Sequence, residues 1–231
     1  MKTIGLIGGM SWESSLLYYR LINQDIKQRL GGLHSAQLLM YSVDFAPIEQ
    51  LQHEGDWDSA ANILIVAARR LEAGGAEFFL IGTNTMHQVA DAVAGAVDIP
   101  LLHIADATGE VLRHDQVRRI GLLGTAFTME LGFYRDRIEQ LYGIDVVVPE
   151  LHDRQMVHDI IYQELCQGQV DAESREVYLA IIDRLRAQQI DGVILGCTEI
   201  GMLIDSRHTD IRLYDTTAIH ARQAVDYALR D

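Results

Sequence analysis

The chain carries much of its pattern twice, and that repetition limits its possible folds more than any other property. Ile4-Gly5-Leu6-Ile7-Gly8 returns as Ile120-Gly121-Leu122-Leu123-Gly124, an offset of 116, and Tyr18 meets Tyr134 at the same offset. Ala73 to Gly82 matches Ala187 to Gly196 at an offset of 114, with Glu77 on Asp191 and Leu80-Ile81 on Ile194-Leu195. Asp98-Ile99 and Leu101 match Asp210-Ile211 and Leu213 at an offset of 112. Three matches in one order, with an offset that drifts by only a few residues, point to a duplicated unit.

Each copy reads as alternating strands and helices. Short apolar runs bounded by glycine predict buried parallel strands at Thr3–Ile7, Gln37–Ser42, Glu77–Gly82, Leu101–Ile104, Arg119–Leu123, Asp145–Val148, Gly192–Gly196 and Ile211–Tyr214. Between them, Ile63, Val66, Ala67 and Leu71, and again Val177, Ile181, Ile182 and Leu185, follow helical spacing. The expected fold class is α/β, with two pseudo-symmetric α/β domains, mostly parallel sheets and an active site in the cleft between them.

In open α/β sheets, ligands gather beyond the carboxyl ends of the strands. The offset of 114 places Thr83-Asn84-Thr85 on Cys197-Thr198-Glu199, each following its copy's third strand. If the copies face each other, Thr83 and Cys197 approach one ligand from opposite sides, as a two-base reaction at carbon requires. Cys197 at a strand end is a candidate nucleophile or base, where N–H groups of the next turn can stabilise a thiolate. Cys166 lies in the helix-like run Ile160–Leu165 and reads as packing.

The loops after the first strand of each copy are rich in small and hydroxyl residues: Gly8-Gly9-Met10-Ser11 and Gly124-Thr125-Ala126-Phe127-Thr128. They suit a carboxylate cradle built from backbone N–H groups. Neither has the dinucleotide-loop spacing, and no phosphate-loop lysine follows. His87 and His103 fall near strand ends and read more readily as structural residues than as catalytic ones.

Composition narrows the partners. A formal charge of −14 and only short basic pairs, such as Arg69-Arg70, argue against nucleic acid. No apolar stretch approaches the length of a membrane span, and Ile4–Ile7 stops too soon for a signal peptide. Two cysteines make no disulfide framework and no zinc site. The expected compartment is the reducing cytoplasm. The only lysines are Lys2 and Lys27, so a pyridoxal-phosphate Schiff base is not expected, and neither is any other cofactor or a metal.

Over nearly its full length the chain resembles the cofactor-independent aspartate/glutamate racemases. The resemblance rests on Gly8-Gly9-Met10-Ser11, Thr83-Asn84-Thr85, Leu123-Gly124-Thr125 and, most specifically, Gly196-Cys197-Thr198-Glu199. It implies an amino acid substrate and a homodimer. It also implies discontinuous domains, the first holding residues 1–98 plus 210–231 and the second 99–209. Cys197 matches the second of the family's two catalytic cysteines, and Thr83 stands where the first would be. Asn84, Thr85, Thr125, Thr128 and Thr198 match substrate-binding positions, and Gln52 matches a contact to the side-chain carboxylate. Met10, Ser11 and Glu199 join them as expected substrate-binding residues.

A threonine hydroxyl is a far weaker acid than a thiol, so the two directions of racemisation should differ, with a bias toward the L enantiomer. Two other readings compete. One is a decarboxylase resembling the arylmalonate decarboxylases, which keep only the second cysteine but need an apolar pocket. The other is a non-catalytic amino-acid-binding protein.

Overall fold

The computed structural model describes residues 1–230. They form two compact units, one of residues 1–104 with the chain from His220 onward, the other Ala105–Ile219. The strands are β1 (Ile4–Gly8), β2 (Leu38–Ser42), β3 (Phe78–Ile81), β4 (Arg119–Gly124), β5 (Asp145–Val147), β6 (Gly192–Gly196) and β7 (Leu213–Asp215). The helices are α1 (Trp12–Leu30), α2 (Phe45–Glu54), α3 (Trp57–Ala73), α4 (Ala90–Ala94), α5 (Ile104–His114), α6 (Ala126–Glu130), α7 (Gly132–Tyr142), α8 (Leu151–Gln163), α9 (Ala172–Arg186), α10 (Ile200–Leu203) and α11 (Thr216–Ala228).

The first unit holds a parallel sheet in the order β2-β1-β3, the second a parallel sheet in the order β5-β4-β6-β7. The repeat extends to hydrogen-bond register. Ile4 pairs with Phe78 in the first sheet, and Ile120, its repeat mate, pairs with Gly192 in the second. Leu101 forms an isolated parallel bridge to Phe79, where its repeat mate Leu213 pairs with Val193 as the first of three registered pairs. Leu101 was expected to open a strand at 101–104. Its ladder stops at two bonds, Phe79 N–H to Pro100 and Leu102 N–H to Phe79, because α5 begins at Ile104.

Both faces of the first sheet are covered, which explains why its strands carry no polar alternation. Ile7, Phe79 and Ile81 join a core with Leu64, Ala67, Ala68 and Leu71 of α3. Their neighbours Ile4, Leu6, Phe78 and Leu80 point the other way, into a core with Tyr18, Ile22 and Ile26 of α1 and Ala221, Ala224, Val225 and Ala228 of α11. Successive residues of one strand thus serve two different helix layers.

The unit boundaries differ from those expected. The final strand was expected with the first domain, but β7 hydrogen-bonds to β6 and belongs to the second unit. Only from His220, within α11, does the chain return to the first. The exchange is reciprocal: α5 follows Leu101 of the first unit and, from Ala105, belongs to the second. There Arg137 pairs with Asp106 at 2.6 Å and Tyr134 donates to Thr108 Oγ1 at 3.2 Å. In the first unit Tyr18, the mate of Tyr134, hydrogen-bonds His220 of α11 at 2.9 Å. Thr108 and His220 lie 112 residues apart, the offset of the third sequence match.

Candidate active site

In the first unit the turn after β1 is shaped by glycine. Gly9 has φ +95°, and a Cβ there would fall 2.2 Å from the carbonyl oxygen of Val43. Ser15 Oγ accepts from Gly9 N–H at 2.7 Å and donates to the Ser11 carbonyl at 2.9 Å. Ser11 caps α1, its Oγ accepting from Ser14 N–H at 3.3 Å. The expected carboxylate cradle therefore has its hydroxyls engaged in holding the turn, and the Met10 side chain is buried in the core with Ile7 and Ile48.

The turn after β3 gathers more of the expected residues. Asn84 and Thr85 are buried and Thr83 is half-buried. Gln52 reaches this turn from α2, with Nε2 3.0 Å from Met86 Sδ. His87 fixes the backbone of Thr83. Its Nε2 accepts from Ile104 N–H at 3.2 Å, so Nδ1 carries the proton and donates to the Thr83 carbonyl at 2.8 Å. His87 therefore positions the turn, and its ring meets that of His103 edge-on, with centroids 4.5 Å apart and planes at 60°. His220 is neutral for a similar reason: Nε2–H donates to the Leu102 carbonyl while Nδ1 accepts from Tyr18, and burial pushes its pKa down to about 3.

In the second unit Thr125 caps α6 through Thr128 N–H, and the two hydroxyls lie 3.1 Å apart. Gly124 and Gly196 are registered partners in β4 and β6. A Cβ on Gly124 would fall 2.9 Å from the Gly196 carbonyl oxygen and 3.2 Å from Thr128 Cβ. That close approach draws the Thr125–Thr128 turn up to the Cys197 turn. His158 accepts from Ala126 N–H at 3.1 Å and steadies the start of α6.

Cys197 sits just past β6 and is 9 % exposed. Its thiol donates to Glu199 Oε2 at 2.9 Å, and Thr198 Oγ1 donates to the same oxygen at 2.6 Å. Both flanking side chains are buried. The expected electrostatics are reversed here. Burial, then the Glu199 carboxylate, raise the Cys197 pKa well above its ordinary value, and the backbone contribution that lowers it is the smallest. The resting group is a thiol held against a carboxylate, with no preformed thiolate.

Two neighbours were missed in the sequence. Cys166 was read as packing within a helix. It lies in a 3-10 turn after α8, half-buried, and its charge contributes to raising the Cys197 pKa. Tyr178 of α9 is buried with its hydroxyl donating to the Val157 carbonyl; burial raises its pKa, and so does the negative charge Cys197 carries once ionised. Neither had a local signal, because each contact joins segments far apart in sequence.

Among the described residues no group of three or more His, Cys, Asp or Glu side chains could hold a metal ion, and no helix is long and apolar enough to cross a membrane.

The model of the Asp/Glu/Hydantoin racemase family matches residues 7–224. The structure superposes on that of a putative Asp/Glu racemase from Yersinia pestis with a TM-score of 0.92, at 53% identity over the whole of both chains. It superposes on an aspartate racemase homologue from Pyrococcus horikoshii with a TM-score of 0.84, at 34% identity over the whole of both chains. A broad specificity amino-acid racemase from Bacillus subtilis is 24% identical over 96% of each chain.

Proposed function

The chain belongs to the Asp/Glu/Hydantoin racemase family and is an amino acid racemase, and we propose that it acts on acidic amino acids, aspartate or glutamate, by cofactor-independent two-base proton transfer between Cys197 and Thr83. The observation that carries this reading is the Cys197 thiol donating to the buried Glu199 carboxylate at the end of β6.

The thiol proton passes to Glu199 Oε2, and the thiolate so formed removes the α-proton of the L-amino acid. The Thr83 hydroxyl gives its proton to the opposite face of the carbanion and recovers one from water. The α-proton restores Cys197 as a thiol, and Glu199 returns to its resting form by releasing the proton it took to solvent, which balances the one Thr83 draws from water. Asn84, Thr85, Thr125, Thr128 and Thr198 are assigned to the substrate's carboxylates and ammonium, with Met10 and Ser11 shaping the cradle and Gln52 meeting the side-chain carboxylate. A catalytic thiol of this kind fits a reducing compartment, the cytoplasm.

A carbanion is quenched by Thr83 more readily than it is generated by it, because an alkoxide is a far costlier base than a thiolate. The enantiomers are equal in free energy, so kcat/KM for net inversion matches in both directions. The L-bias therefore appears in kcat, in KM, or in exchange without inversion. Proton NMR of L- and D-aspartate and L- and D-glutamate in heavy water reads all of these. Deuterium entering L-substrate faster than net inversion supports the assignment. Equal exchange from both enantiomers removes Thr83 from the second position. Release of carbon dioxide from a malonate, or binding without exchange, replaces racemisation altogether.

A further inference from the structure

A cavity of about 520 Å³ opens in the second unit beside the carboxyl-end residues of β6 and β7, the place where open α/β sheets gather ligands. Small-molecule sites run from roughly 300 to 1,000 Å³, so its size suits one. Leu195, Ile204, Ile211 and Leu213 give it an apolar wall, and Asp215 adds a carboxyl. Leu195 and Gly201 line it and bracket the Cys197 turn in sequence, while Cys197, Thr198 and Glu199 take no part in the lining.

The charged residues that line this cavity are paired within the chain, with one exception. Asp205 binds Arg207 at 2.6 Å, Asp210 binds Arg186 at 2.7 Å and Arg212 binds Asp115 at 2.6 Å. Asp215 enters no ion pair among the described residues. Its Oδ1 accepts from Thr217 N–H at 2.8 Å and from Ala218 N–H at 3.1 Å, at the start of α11. Burial raises its pKa, and what opposes the rise comes from Thr217 and Ala218, with no contribution from a cation. Gly201 keeps a side chain off the second oxygen, since a Cβ there would fall 2.8 Å from Asp215 Oδ2.

We propose that this cavity binds a small organic monocation, its ammonium group set against Asp215 and its apolar body against Leu195, Ile204, Ile211 and Leu213. A carboxyl drawn out of water without a counter-charge is costly, and a ligand cation supplies the charge that the fold does not. The pairing of Asp205 and Asp210 with arginines decides the ligand's charge. It leaves one carboxylate to a ligand, which suits an ammonium group, whereas a divalent metal ion gathers several oxygens. The site makes no use of Thr83 or Cys197, so it stands or falls apart from the racemase reading.

Titration of benzylammonium into the full chain, followed by amide NMR, tests this. Salt at about 0.15 M screens the general attraction of an acidic surface. Wild type should bind saturably, with shifts at the amides of Gly201, Ile204, Ile211 and Thr217, and about tenfold more tightly than it binds benzyl alcohol, a neutral isostere. Asp215→Asn keeps a side chain able to cap α11 but removes the charge, and should weaken binding tenfold or more. Gly201→Ala covers Oδ2 and should weaken it as well, whereas Asp210→Asn at the rim should leave affinity within about twofold. Benzyl alcohol binding as tightly as benzylammonium overturns the proposal, as does wild-type affinity in Asp215→Asn. So does an equal loss in Asp210→Asn, or displacement of benzylammonium by an equal concentration of magnesium ion. If the far-ultraviolet spectrum shows Asp215→Asn unfolded, Gly201→Ala decides alone, and wild-type affinity in that variant overturns the proposal.

Discussion

The turn after β3 and the turn after β6 occupy the same place in two copies of one unit, yet they are held by opposite means. After β3 the fixed element is the backbone, with the Thr83 carbonyl receiving a proton from His87. After β6 the fixed element is the reactive side chain itself, with the Cys197 thiol donating to Glu199. A shared scaffold thus leaves one turn with a hydroxyl in the place where the other carries a thiol and a carboxylate 2.9 Å apart. Duplication supplies the geometry, and a few side chains decide which copy generates charge.

The sharpest way to break this comparison is to remove the ionising side. Cys197→Ala should abolish α-hydrogen exchange from L-substrate, a loss of at least about a thousandfold, whereas Cys166→Ala should leave exchange largely intact. Deuterium wash-in followed by proton NMR checks both. Equal losses from the two substitutions would refute the division of roles between the cysteines.

Glu199→Gln comes next in size. It removes the acceptor of the thiol proton, so kcat/KM at neutral pH should fall about a hundredfold. The sign of the pH effect follows from the raised Cys197 pKa. In wild type the thiolate fraction increases as pH climbs toward that pKa, so exchange should accelerate through the alkaline range. Glu199→Gln also removes a charge that raises the pKa, and the alkaline limb should move to lower pH. A pH–rate profile that drops without moving would mean that Glu199 only shapes the turn.

Giving the first turn the chemistry of the second should narrow the difference. Thr83→Cys should raise turnover of D-substrate several-fold and bring net inversion closer to the rate of L-exchange. Circular dichroism of both enantiomers, with wash-in measured in parallel, reads the two rates. No change in either would separate Thr83 from the reaction.

The smallest effect concerns stability. Tyr18→Phe strands the buried Nδ1 of His220 and should cost about 1–3 kcal/mol, while Tyr134→Phe leaves a Thr108 hydroxyl that can rotate and should cost about 1 kcal/mol. His220 has a folded pKa of about 3 against an ordinary 6.5, so the unfolded chain binds its proton first. Its stabilising contribution is complete above about pH 6.5 and is lost as pH falls toward 3, with a slope of at most about 1.4 kcal/mol per pH unit. Denaturant titrations of wild type and His220→Gln over this range should converge at low pH.

Strand positions, parallel pairing and the duplication were legible because they depend on local pattern: apolar runs closed by glycine, repeated in order. The repeat even carried the register of Ile4 on Phe78 into that of Ile120 on Gly192. Thr83 and Cys197 were marked for the same reason, as mates at equivalent strand ends. Three features were beyond reach of pattern. The exchange of α5 and α11 between units leaves no trace in either helix, since an amphipathic face does not say which sheet it will cover. The protonation of Cys197 was read with the wrong sign, because strand-end N–H groups are visible in sequence while the depth of burial and the direction of the Glu199 carboxylate are not. Cys166 and Tyr178 became neighbours of Cys197 only when α8, α9 and β6 packed together. Sequence determined which residues sit at the ends of which strands. Tertiary structure decided their charge, because desolvation and Coulomb energy depend on every group nearby, whatever its distance along the chain.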